Sequence, residues 1–436
     1  MLNQALQIVR TLKNHGFEAM FCGGYVRDML LKKENDDIDI ATNAKPEEVE
    51  QLFDKTLAVG KSFGVIIVVL DGQEIEVATY RQDSKTSDGR RPNSITFCSM
   101  EEDAHRRDFT INGLFYDPLL DKIYDCVGGI EDLNAGIIRF IGNPDDRIIE
   151  DKLRMARAVR FSARFGFKID PEALQAIKKH SSEIVQVSAE RIADELIKIL
   201  RTGNYRIAFD LLLETGLIDY IIPEIRAMKD CEQPTDYHPE VFVYEHTIKA
   251  LENLPSDASD ELRMGVLLHD IGKPAVQTFE DRIRFNGHDL KGKDISREIL
   301  TRLRFSKDFI ERVTELVGNH MKFMHVFDMR TSRLKRFLAL PHFEEHLALH
   351  RADCLASHGG LDGYNFCLEK LKTLEPEEIH PPRIVTGQDL IGLGFKPGPQ
   401  FKTILTDLED KQLEGVISDR DQALEYVEKA YLMSIN

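Results

Sequence analysis

The 436-residue sequence lacks any run of about 18 apolar residues, so we expect no segment of it to cross a membrane. Its first residues lack the basic and then apolar order of a secretory signal. Its six cysteines are scattered and form no C-x-x-C pair, which is typical of reduced thiols rather than of a disulfide framework. Together these absences predict a cytoplasmic protein.

Positive charge is also scarce, since 57 lysines and arginines face 74 aspartates and glutamates and leave a net charge of −17. Such a chain has little general affinity for nucleic acid. Residues 151–164 depart from this pattern, because Lys152 and four arginines there face a single aspartate. An acidic protein can bind RNA through one such basic strip and would bind few other polyanions.

The chain is too long for one hydrophobic core, and its length predicts about two to four domains. The first 145 residues mix helical and strand periods, whereas the segments after Pro144 are almost all helical in period. We therefore predict the α+β class. The expected divisions, set partly by proline-rich breaks, are a small α/β domain and three helical regions: 1–145, 146–225, 226–375 and 376–436.

Local signals within the first domain are specific. Apolar spacing predicts a helix within residues 1–20 that ends at Gly16, and then a strand that runs into Cys22. A β-branched run predicts a buried strand from Phe63 to Leu70, and Asp71-Gly72 predicts a tight hairpin. Residues 84–92 are predicted to form a polar loop.

Two carboxylates in this domain have the spacing of a metal site. Asp37 and Asp39 are two residues apart on a predicted strand, so both side chains should leave the same face and could share two Mg²⁺ ions. Such ions would activate an attacking hydroxyl and stabilise an in-line transition state at a phosphate. Glu76 is a possible third carboxylate. The alternative is an ordinary solvent-exposed strand, on which a lone D-x-D is common.

Four motifs in chain order together resemble the class II tRNA nucleotidyltransferases, or CCA-adding enzymes, and the related bacterial poly(A) polymerases. They are Gly23-Gly24-Tyr25-Val26-Arg27-Asp28 with Asp37-Ile38-Asp39, Arg106-Arg107-Asp108-Phe109-Thr110-Ile111-Asn112, Asp125 with Gly128-Gly129 and Asp132-Leu133, and Glu150-Asp151-x-x-Arg154-x-x-Arg157. The resemblance implies a polymerase-β-like nucleotidyltransferase head (1–145) and a helical neck (146–225). It also implies that Asp37 and Asp39 are catalytic and hold Mg²⁺, and that the incoming nucleotide is bound by Gly24, Arg27, Arg107, Asp151, Arg154, Arg157 and Arg160.

The last motif also suggests a way to select a base. Asp151 and Arg154 are one helical turn apart and are expected to point the same way. The carboxylate can accept a hydrogen bond from the exocyclic amine of cytosine or adenine, and the guanidinium can donate to the adjacent ring acceptor. Uracil and guanine present a carbonyl where the aspartate needs a donor. The alternative is a surface ion pair on a helix.

Two further segments bear on which activity of the family to expect. Val59-Gly60-Lys61-Ser62-Phe63-Gly64 resembles the CCA-adding enzymes more than the poly(A) polymerases. The loop at 84–92 resembles the flexible loop with which family members change from CTP to ATP. Both favour addition of CCA to tRNA 3′ ends from CTP and ATP. An enzyme that adds only the final A, or a poly(A) polymerase, stays open.

A second group of potential metal ligands lies in the helical half. The His269-Asp270 pair follows an apolar helix and precedes a Gly-Lys-Pro stop, and buried histidine and aspartate need partners such as a metal. The order resembles that of HD phosphohydrolase domains, which implies an HD domain at 226–375 and a helical tail at 376–436. The implied ligands are His246, His269, Asp270, His288, His320 and Asp353.

Six such ligands would suffice for a dinuclear centre of divalent Mn, Ni, Fe or Zn that activates water toward a phosphoester, such as a 2′,3′-cyclic phosphate or a damaged RNA 3′ end. A degenerate domain kept for packing or for docking tRNA is the alternative, and the other histidines are interpreted as ordinary. Two rival functions are a phosphohydrolase with a nucleotide-sensing head and a non-catalytic RNA-binding protein. The oligomeric state is not predicted.

Overall fold

The computed structural model describes residues 1–83, 95–234, 241–279, 282–379 and 381–432. The chain forms two compact units. The amino-terminal unit consists of residues 1–226 and 301–305, and the carboxy-terminal unit consists of residues 227–300 and 306–436. The loop predicted at 84–92 lies outside the described residues. The α+β class is confirmed, and the four-part division into domains stays a prediction.

The amino-terminal unit is built on one sheet of seven strands in the order β3-β4-β5-β2-β1-β8-β9. The strands of the chain are β1 (Ala19–Cys22), β2 (Asp39–Thr42), β3 (Thr56–Gly60), β4 (Val65–Leu70), β5 (Gln73–Thr79), β6 (Arg81–Asp83), β7 (Ile95–Phe97), β8 (Leu114–Asp117), β9 (Lys122–Asp125), β10 (Ile137–Ile138), β11 (Lys168–Ile169), β12 (Thr278–Phe279) and β13 (Ile283–Arg284).

The predicted hairpin is confirmed, since β4 and β5 pair antiparallel from Leu70 and Gln73 across Asp71 and Gly72. Both turn residues have positive φ, as a type I′ turn requires. The buried strand predicted from Phe63 begins two residues later, because Lys61–Phe63 form a turn of 3₁₀ helix.

The sheet core lies on the face that the apolar side chains share. Ile38 and Ile40 alternate with Asp37 and Asp39, and both isoleucines are buried in one cluster with residues of α1, β4 and β5. Because β2 and β5 run parallel with Ile40 beside Val77, Asp39 lies beside Glu76 on the opposite face. The sheet therefore places these carboxylates on the face opposite the cluster that contains Ile38 and Ile40.

The helices before residue 230 flank this sheet at first, and helices then predominate in the rest of the unit. They are α1 (Leu2–Asn14), α2 (Gly24–Leu30), α3 (Pro46–Leu52), α4 (Met100–Arg106), α5 (Gly129–Ala135), α6 (Pro144–Glu150), α7 (Arg154–Phe165), α8 (Pro171–His180), α9 (Ala189–Leu200), α10 (Tyr205–Glu214), α11 (Ile218–Ile221) and α12 (Glu224–Lys229). Short 3₁₀ helices occupy Lys61–Phe63, Thr110–Asn112 and Ser181–Gln186. The helix predicted within residues 1–20 is confirmed as α1.

Two local predictions are wrong in detail. Strand β2 begins at Asp39, so Asp37 lies in the extended segment before the strand rather than on it. Asp151 and Arg154 do not share a helix, because α6 ends at Glu150 and α7 begins at Arg154. Asp151 stands in the break and accepts a hydrogen bond from the backbone N–H of Leu153 at 3.1 Å. This local bond competes with helix continuation.

The third motif holds the second motif against the sheet through hydrogen bonds and close packing. Asp125 accepts hydrogen bonds from the backbone N–H groups of Gly129 and Ile130 at the start of α5. Asp132 accepts from the hydroxyl of Thr110 at 2.7 Å. A Cβ at Gly129 would overlap the carbonyl oxygen of Thr110, so glycine permits this close approach.

The carboxy-terminal unit is helical apart from the short β12–β13 hairpin. Its helices are α13 (Val243–Glu252), α14 (Asp260–Leu268), α15 (Lys273–Val276), α16 (His288–Arg302), α17 (Lys307–Asn319), α18 (Thr331–Leu338), α19 (Phe343–Ala356), α20 (Asp362–Thr373), α21 (Pro376–Ile379), α22 (Gly387–Gly392), α23 (Pro399–Leu413) and α24 (Arg420–Val427). A 3₁₀ helix spans His320–His325 and a π-helical turn spans Glu428–Leu432.

This unit holds two separate apolar clusters besides the packing of α13, α14, α17 and α19. One lies around Phe323 and Phe337, and the other lies around Leu390 and Ile404 in the tail. In the part of the chain that the structure describes, no helix is both long enough and apolar enough to cross a membrane.

We expect Gly129→Ala to destabilise the amino-terminal unit by about 2–4 kcal/mol, because the new methyl group would displace the 3₁₀ turn at Thr110. Gly142→Ala is the matched control, since a Cβ there meets no atom within 4 Å and only its positive φ is strained. That control should cost about 1 kcal/mol. Equal losses for the two variants in denaturant unfolding would contradict the close packing at Gly129.

Candidate active site and metal centre

A cavity of about 420 Å³ opens in the amino-terminal unit where α2, β2, α7 and α9 approach the segment after α4. Most of its lining is polar or charged. The lining residues are Gly23, Gly24, Arg27, Asp39, Arg106, Arg107, Asp108, Asn112, Asp151, Leu153, Arg154, Arg157, Phe161 and Arg191. The cavity thus combines one carboxylate of the sheet with the Asp151 and Arg154 pair.

The structure brings together most of the transferase residues predicted from the sequence. The predicted residues in the lining are Gly24, Arg27, Asp39, Arg107, Asp151, Arg154 and Arg157. Two predicted residues are absent from it. Asp37 is exposed beside β2, and the Arg160 Nε atom donates to Glu195 Oε1 at 2.5 Å. Their roles in nucleotide or metal binding stay predictions.

The carboxylates near the sheet repel one another. The pKa of Asp39 is raised from 3.8 to about 6, first by burial and then by the charges of Asp37 and Glu76, while Arg107 opposes the shift. A divalent cation would relieve this repulsion, and oxygen ligands are those that Mg²⁺ prefers. Asp39 and Asp37 could therefore hold a magnesium ion, which stays a prediction, and the charge of Glu76 also acts on Asp39.

A chain of hydrogen bonds links the glycine turn to α7 through the second motif. Arg27 Nη1 donates to Asn112 Oδ1 at 2.6 Å, and Asn112 Nδ2 donates to Asp108 Oδ1 at 2.9 Å. The Arg157 Nε atom then donates to Asp108 Oδ2 at 2.9 Å. Burial alone would raise the pKa of Asp108, but Arg157 and Asn112 outweigh it and hold that pKa well below its usual range.

Asp28 provides a second link between the same elements. Its carboxylate is fully buried and accepts from Arg27 Nε at 2.7 Å, Asn35 Nδ2 at 2.9 Å and Arg164 Nη2 at 3.0 Å. Because α7 carries Arg164 as well as Arg157, two ion pairs join this helix to the glycine turn and to the second motif. Asp28 would keep Arg27 as a partner if Arg164 were removed. Removal of Arg157, by contrast, would leave the Asp108 carboxylate without its ion-pair partner.

Steric constraints explain why glycine occupies position 23 of the turn. Gly23 has a φ of +64°, and a Cβ there would lie 2.9 Å from the Arg107 guanidinium. Any other residue would therefore displace this arginine as well as strain the backbone. Gly23 and Arg107 together form one wall of the cavity.

The proposed base readers are each held by an oppositely charged side chain. Arg191 Nη2 lies 2.7 Å from Asp151 Oδ2, and Arg154 Nη1 lies 2.7 Å from Glu150 Oε2. Arg147 Nη1 donates to the same Glu150 oxygen at 2.6 Å. Another nitrogen of Arg147 donates to the carbonyl oxygens of Arg106 and Arg107.

Sequence reasoning gave no role to several residues of the cavity, namely Arg106, Asp108, Asn112, Phe161 and Arg191. Asp108 and Asn112 belong to the second motif, and their place in that motif is a signal that could have found them. Arg191 lies 40 positions from the aspartate that it contacts, so no spacing in the sequence indicates that pair.

The carboxy-terminal unit brings all six predicted metal ligands together in two groups. His246, His269 and Asp353 form one group, and Asp270, His288 and His320 form the other. The facing ligand atoms within each group lie within 4.8 Å of one another. The Oδ1 atom of Asp270 lies 3.4 Å from His288, and its Oδ2 atom lies 3.2 Å from His269. Asp270 is therefore placed to serve both groups.

Backbone carbonyls set the direction of three of these imidazoles. The Nδ1 atoms of His269, His288 and His320 lie 2.6 to 2.8 Å from the carbonyl oxygen three residues earlier. Since a carbonyl oxygen only accepts, each Nδ1 must carry a proton, so Nε2 is the nitrogen that faces the ligand cluster and could bind a metal. This arrangement orients histidine ligands toward a metal.

The protonation states also suit a cation. Burial, followed by the charge of His269, lowers the pKa of His320 to about 4, which favours the neutral ligand form. Burial alone would raise the pKa of Asp270, but the charges of His269 and Lys273 hold it well below its usual range. Neutral imidazoles and ionised carboxylates are the forms that bind divalent transition metals.

Four of the six ligands line a cavity of about 930 Å³ that also has several basic residues. Asp270, His288, His320 and Asp353 line it, and its basic residues include Lys273, Arg282, Arg284 and Lys322. Lys273 Nζ also lies 2.7 Å from Asp270 Oδ2. Three histidines interpreted as ordinary from the sequence, His325, His350 and His358, line the same cavity, and His350 stacks on Phe323 at 4.2 Å.

Comparison with protein families finds three matches along the chain. Residues 19–139 match the poly(A) polymerase head domain, residues 166–229 match the probable RNA and SrmB-binding site of polymerase A, and residues 241–356 match the HD domain. The family resemblance predicted from the four motifs and from the His-Asp order is confirmed.

Curated relatives named CCA-adding enzyme match about half of the chain. The relative from Geobacillus sp. strain WCH70 is 45% identical over 219 residues, which are 50% of this chain and 54% of that relative. The relative from Lactobacillus helveticus is 41% identical over 231 residues, or 53% and 57% of the two chains. The chain thus spans about half the length of the curated relatives that it matches.

Solved structures match the fold over nearly the whole chain. The Bacillus stearothermophilus CCA-adding enzyme in complex with CTP gives a TM-score of 0.76 at 27% identity and covers 99% of this chain and 98% of its own. The Thermotoga maritima CCA-adding enzyme complexed with tRNA gives a TM-score of 0.57 at 20% identity, covering 100% and 95%, and shows the shared fold alone.

We expect Asp39→Asn to stabilise the metal-free protein at pH 8 by roughly 1–3 kcal/mol. Because the pKa of Asp39 in the folded state, about 6, exceeds the ordinary value of 3.8, folding favours the protonated carboxyl, and stability falls as the pH rises through this window. The gain should shrink to less than about half at pH 4.5. Denaturant unfolding in EDTA measures the gain in stability at both pH values. Asp54→Asn, at an exposed carboxylate, is the control, and an equal gain at the two pH values would contradict the assignment.

The two ligand groups predict a metal stoichiometry. With Mg²⁺ in excess, the full chain should bind two equivalents of Ni²⁺ or Mn²⁺, and His288→Ala should weaken binding of one equivalent by about tenfold or more. His325→Ala is the control, because this exposed histidine lines the cavity outside both groups. Isothermal titration calorimetry measures the binding affinities, and elemental analysis measures the metal stoichiometry. Unchanged binding in His288→Ala would contradict the dinuclear arrangement.

Proposed function

We propose that this chain, a member of the family of tRNA nucleotidyltransferases and poly(A) polymerases, adds C, C and A to the 3′ ends of tRNA. It would use CTP and ATP and release pyrophosphate. One observation carries the proposal: a single cavity is lined by a carboxylate of the sheet, by Arg27 and Arg107, and by the Asp151 and Arg154 pair. Such a cavity can hold a triphosphate at one end and read a base at the other.

The carboxylates and arginines have separate tasks in this proposal. Mg²⁺ held by Asp37 and Asp39 would activate the RNA 3′-hydroxyl and stabilise the charge that develops at the α-phosphate. Arg27 and Arg107 supply fixed positive charge for the triphosphate. The tight turn at Gly23 and Gly24 lets the backbone approach the phosphates closely.

Base selection would follow from the hydrogen-bonding capacities of two side chains. Asp151 accepts from the amine of cytosine or adenine, and Arg154 donates to the neighbouring ring acceptor. Because Asp151 stands in the break between α6 and α7, its carboxylate is not tied to the direction of the Arg154 side chain on one helix face. Bases with a carbonyl at the same place would meet an acceptor and be refused.

The proposal extends beyond the matched region, which is about half of this chain and just over half of each relative. The relatives named CCA-adding enzyme support CCA addition, and enzymes that add only A, or poly(A) polymerases, are the alternatives within the family. A phosphohydrolase with a nucleotide-sensing head is the alternative from another class.

A cytoplasmic location, expected from the cysteines, fits the six free thiols of the structure.

A second activity is proposed for the carboxy-terminal unit, namely hydrolysis of phosphoesters such as a 2′,3′-cyclic phosphate at an RNA end. The observation that favours it is the paired ligand groups at the base of a cavity with several basic residues. A divalent Mn, Ni, Fe or Zn centre would activate water there. Lys273 and Lys322 could hold the phosphate oxygens. A domain kept for packing or tRNA docking is the alternative.

The transferase is tested with three tRNA transcripts that end before CCA, after C and after CC. Each is incubated with Mg²⁺ and with single nucleotides or CTP plus ATP, and the products are sized by mass. We expect C-C-A on the shortest transcript and then a stop. Asp37→Ala with Asp39→Ala should lower addition by at least about 1,000-fold while leaving any phosphohydrolase activity intact.

Other outcomes of this assay separate the alternatives. A single A added only to the transcript ending in CC would identify an A-adding enzyme, and long A tails would identify a poly(A) polymerase. The combination of His269→Ala and Asp270→Ala serves as the matched control in the other unit, since it should abolish phosphoester hydrolysis and spare nucleotide addition. No addition to any transcript by the unmodified chain would overturn the transferase proposal.

A further inference from the structure

The carboxylate of Asp151 is held by two donors that belong to the protein. The backbone N–H of Leu153 donates to Oδ1 at 3.1 Å, and Arg191 Nη2 lies 2.7 Å from Oδ2. The Arg191 and Asp151 side chains are 17% and 21% exposed, so water screens this ion pair only in part. Both residues line the cavity of the amino-terminal unit.

Two donors on different oxygens fix the plane of a carboxylate. Each oxygen still has a second lone pair, so Asp151 can accept one more hydrogen bond without giving up either partner. The direction of that free lone pair is then determined before a nucleotide arrives. A preset acceptor of this kind costs no reorganisation when a base binds.

The same helices make another ion pair that has no part in the cavity. Arg160 of α7 donates to Glu195 of α9 at 2.5 Å, and neither residue is in the cavity lining. Arg191 lies in the first turn of the same α9 helix, but its side chain contacts Asp151 in the break before α7. If Arg191 only held α7 and α9 together, replacing it would affect the protein in the same way as breaking the ion pair between Arg160 and Glu195.

We infer that Arg191 is a positioning residue that determines base selectivity by orienting the Asp151 carboxylate. This inference rests on the proposed transferase function. Without the guanidinium, Asp151 can rotate about its Cβ–Cγ bond, and the hydrogen bond to the amine of cytosine or adenine weakens. Arg154 alone then faces the base, and a guanidinium donates as readily to the carbonyl of uracil or guanine.

The experiment compares kcat/KM for CTP, ATP, UTP and GTP on the tRNA transcript that ends before CCA and on the one that ends in CC. Arg191→Gln should lower the CTP-to-UTP ratio by at least about tenfold, mostly through loss of CTP use, because one oriented hydrogen bond contributes that much discrimination. Arg191→Lys keeps the charge and one donor, so it should restore part of the ratio.

Glu195→Gln is the matched control, because it breaks the ion pair between α7 and α9 outside the cavity. It should lower the melting temperature and leave the nucleotide ratio within about twofold. An Arg191→Gln variant that loses activity equally with all four nucleotides would overturn the inference and leave Arg191 a structural residue. An unmodified chain that adds no nucleotide would instead count against the transferase proposal itself.

Discussion

The ion pair between Arg157 and Asp108 is the contact on which the amino-terminal site depends. Asp108 belongs to the segment after α4, and Arg157 belongs to α7, the helix that begins at Arg154. Asn112 extends the contact to Arg27 on the glycine turn. These charges are largely withdrawn from water, so each needs its partner. The requirement brings the proposed base readers, Asp151 and Arg154, to the same cavity as Arg27 and Arg107, which are proposed to bind phosphate.

The carboxy-terminal centre follows the same physical rule with different groups. Buried imidazoles and carboxylates have to find partners, and three histidines donate hydrogen bonds from Nδ1 to backbone carbonyls of the preceding turn. Their Nε2 atoms belong to the two ligand groups, and Asp270 lies close to histidines of both groups. In both units, groups around the centre fix the direction of the side chains that would meet metal or substrate.

Much of this could be predicted from the sequence because short-range physics determines it. The hairpin at Asp71-Gly72 follows from a local pattern, whereas the six ligands around His269-Asp270 are predicted from the resemblance to HD domains. The break at Asp151 could not be predicted, because one side-chain bond to the backbone of Leu153 competes with an otherwise continuous helix signal. Contacts such as that of Arg191 with Asp151 depend on tertiary packing, which the spacing of residues in the sequence does not indicate.

The central claim is that the Asp108 and Arg157 pair unites the two halves of the nucleotide site. A double-mutant cycle with Asp108→Asn, Arg157→Gln and the double variant tests this directly, with kcat/KM for CTP addition to tRNA as the readout. We expect each single variant to lose about 100-fold or more, and the double variant to lose little beyond the worse single variant. Losses that multiply would show that the two residues act independently, and would contradict the account.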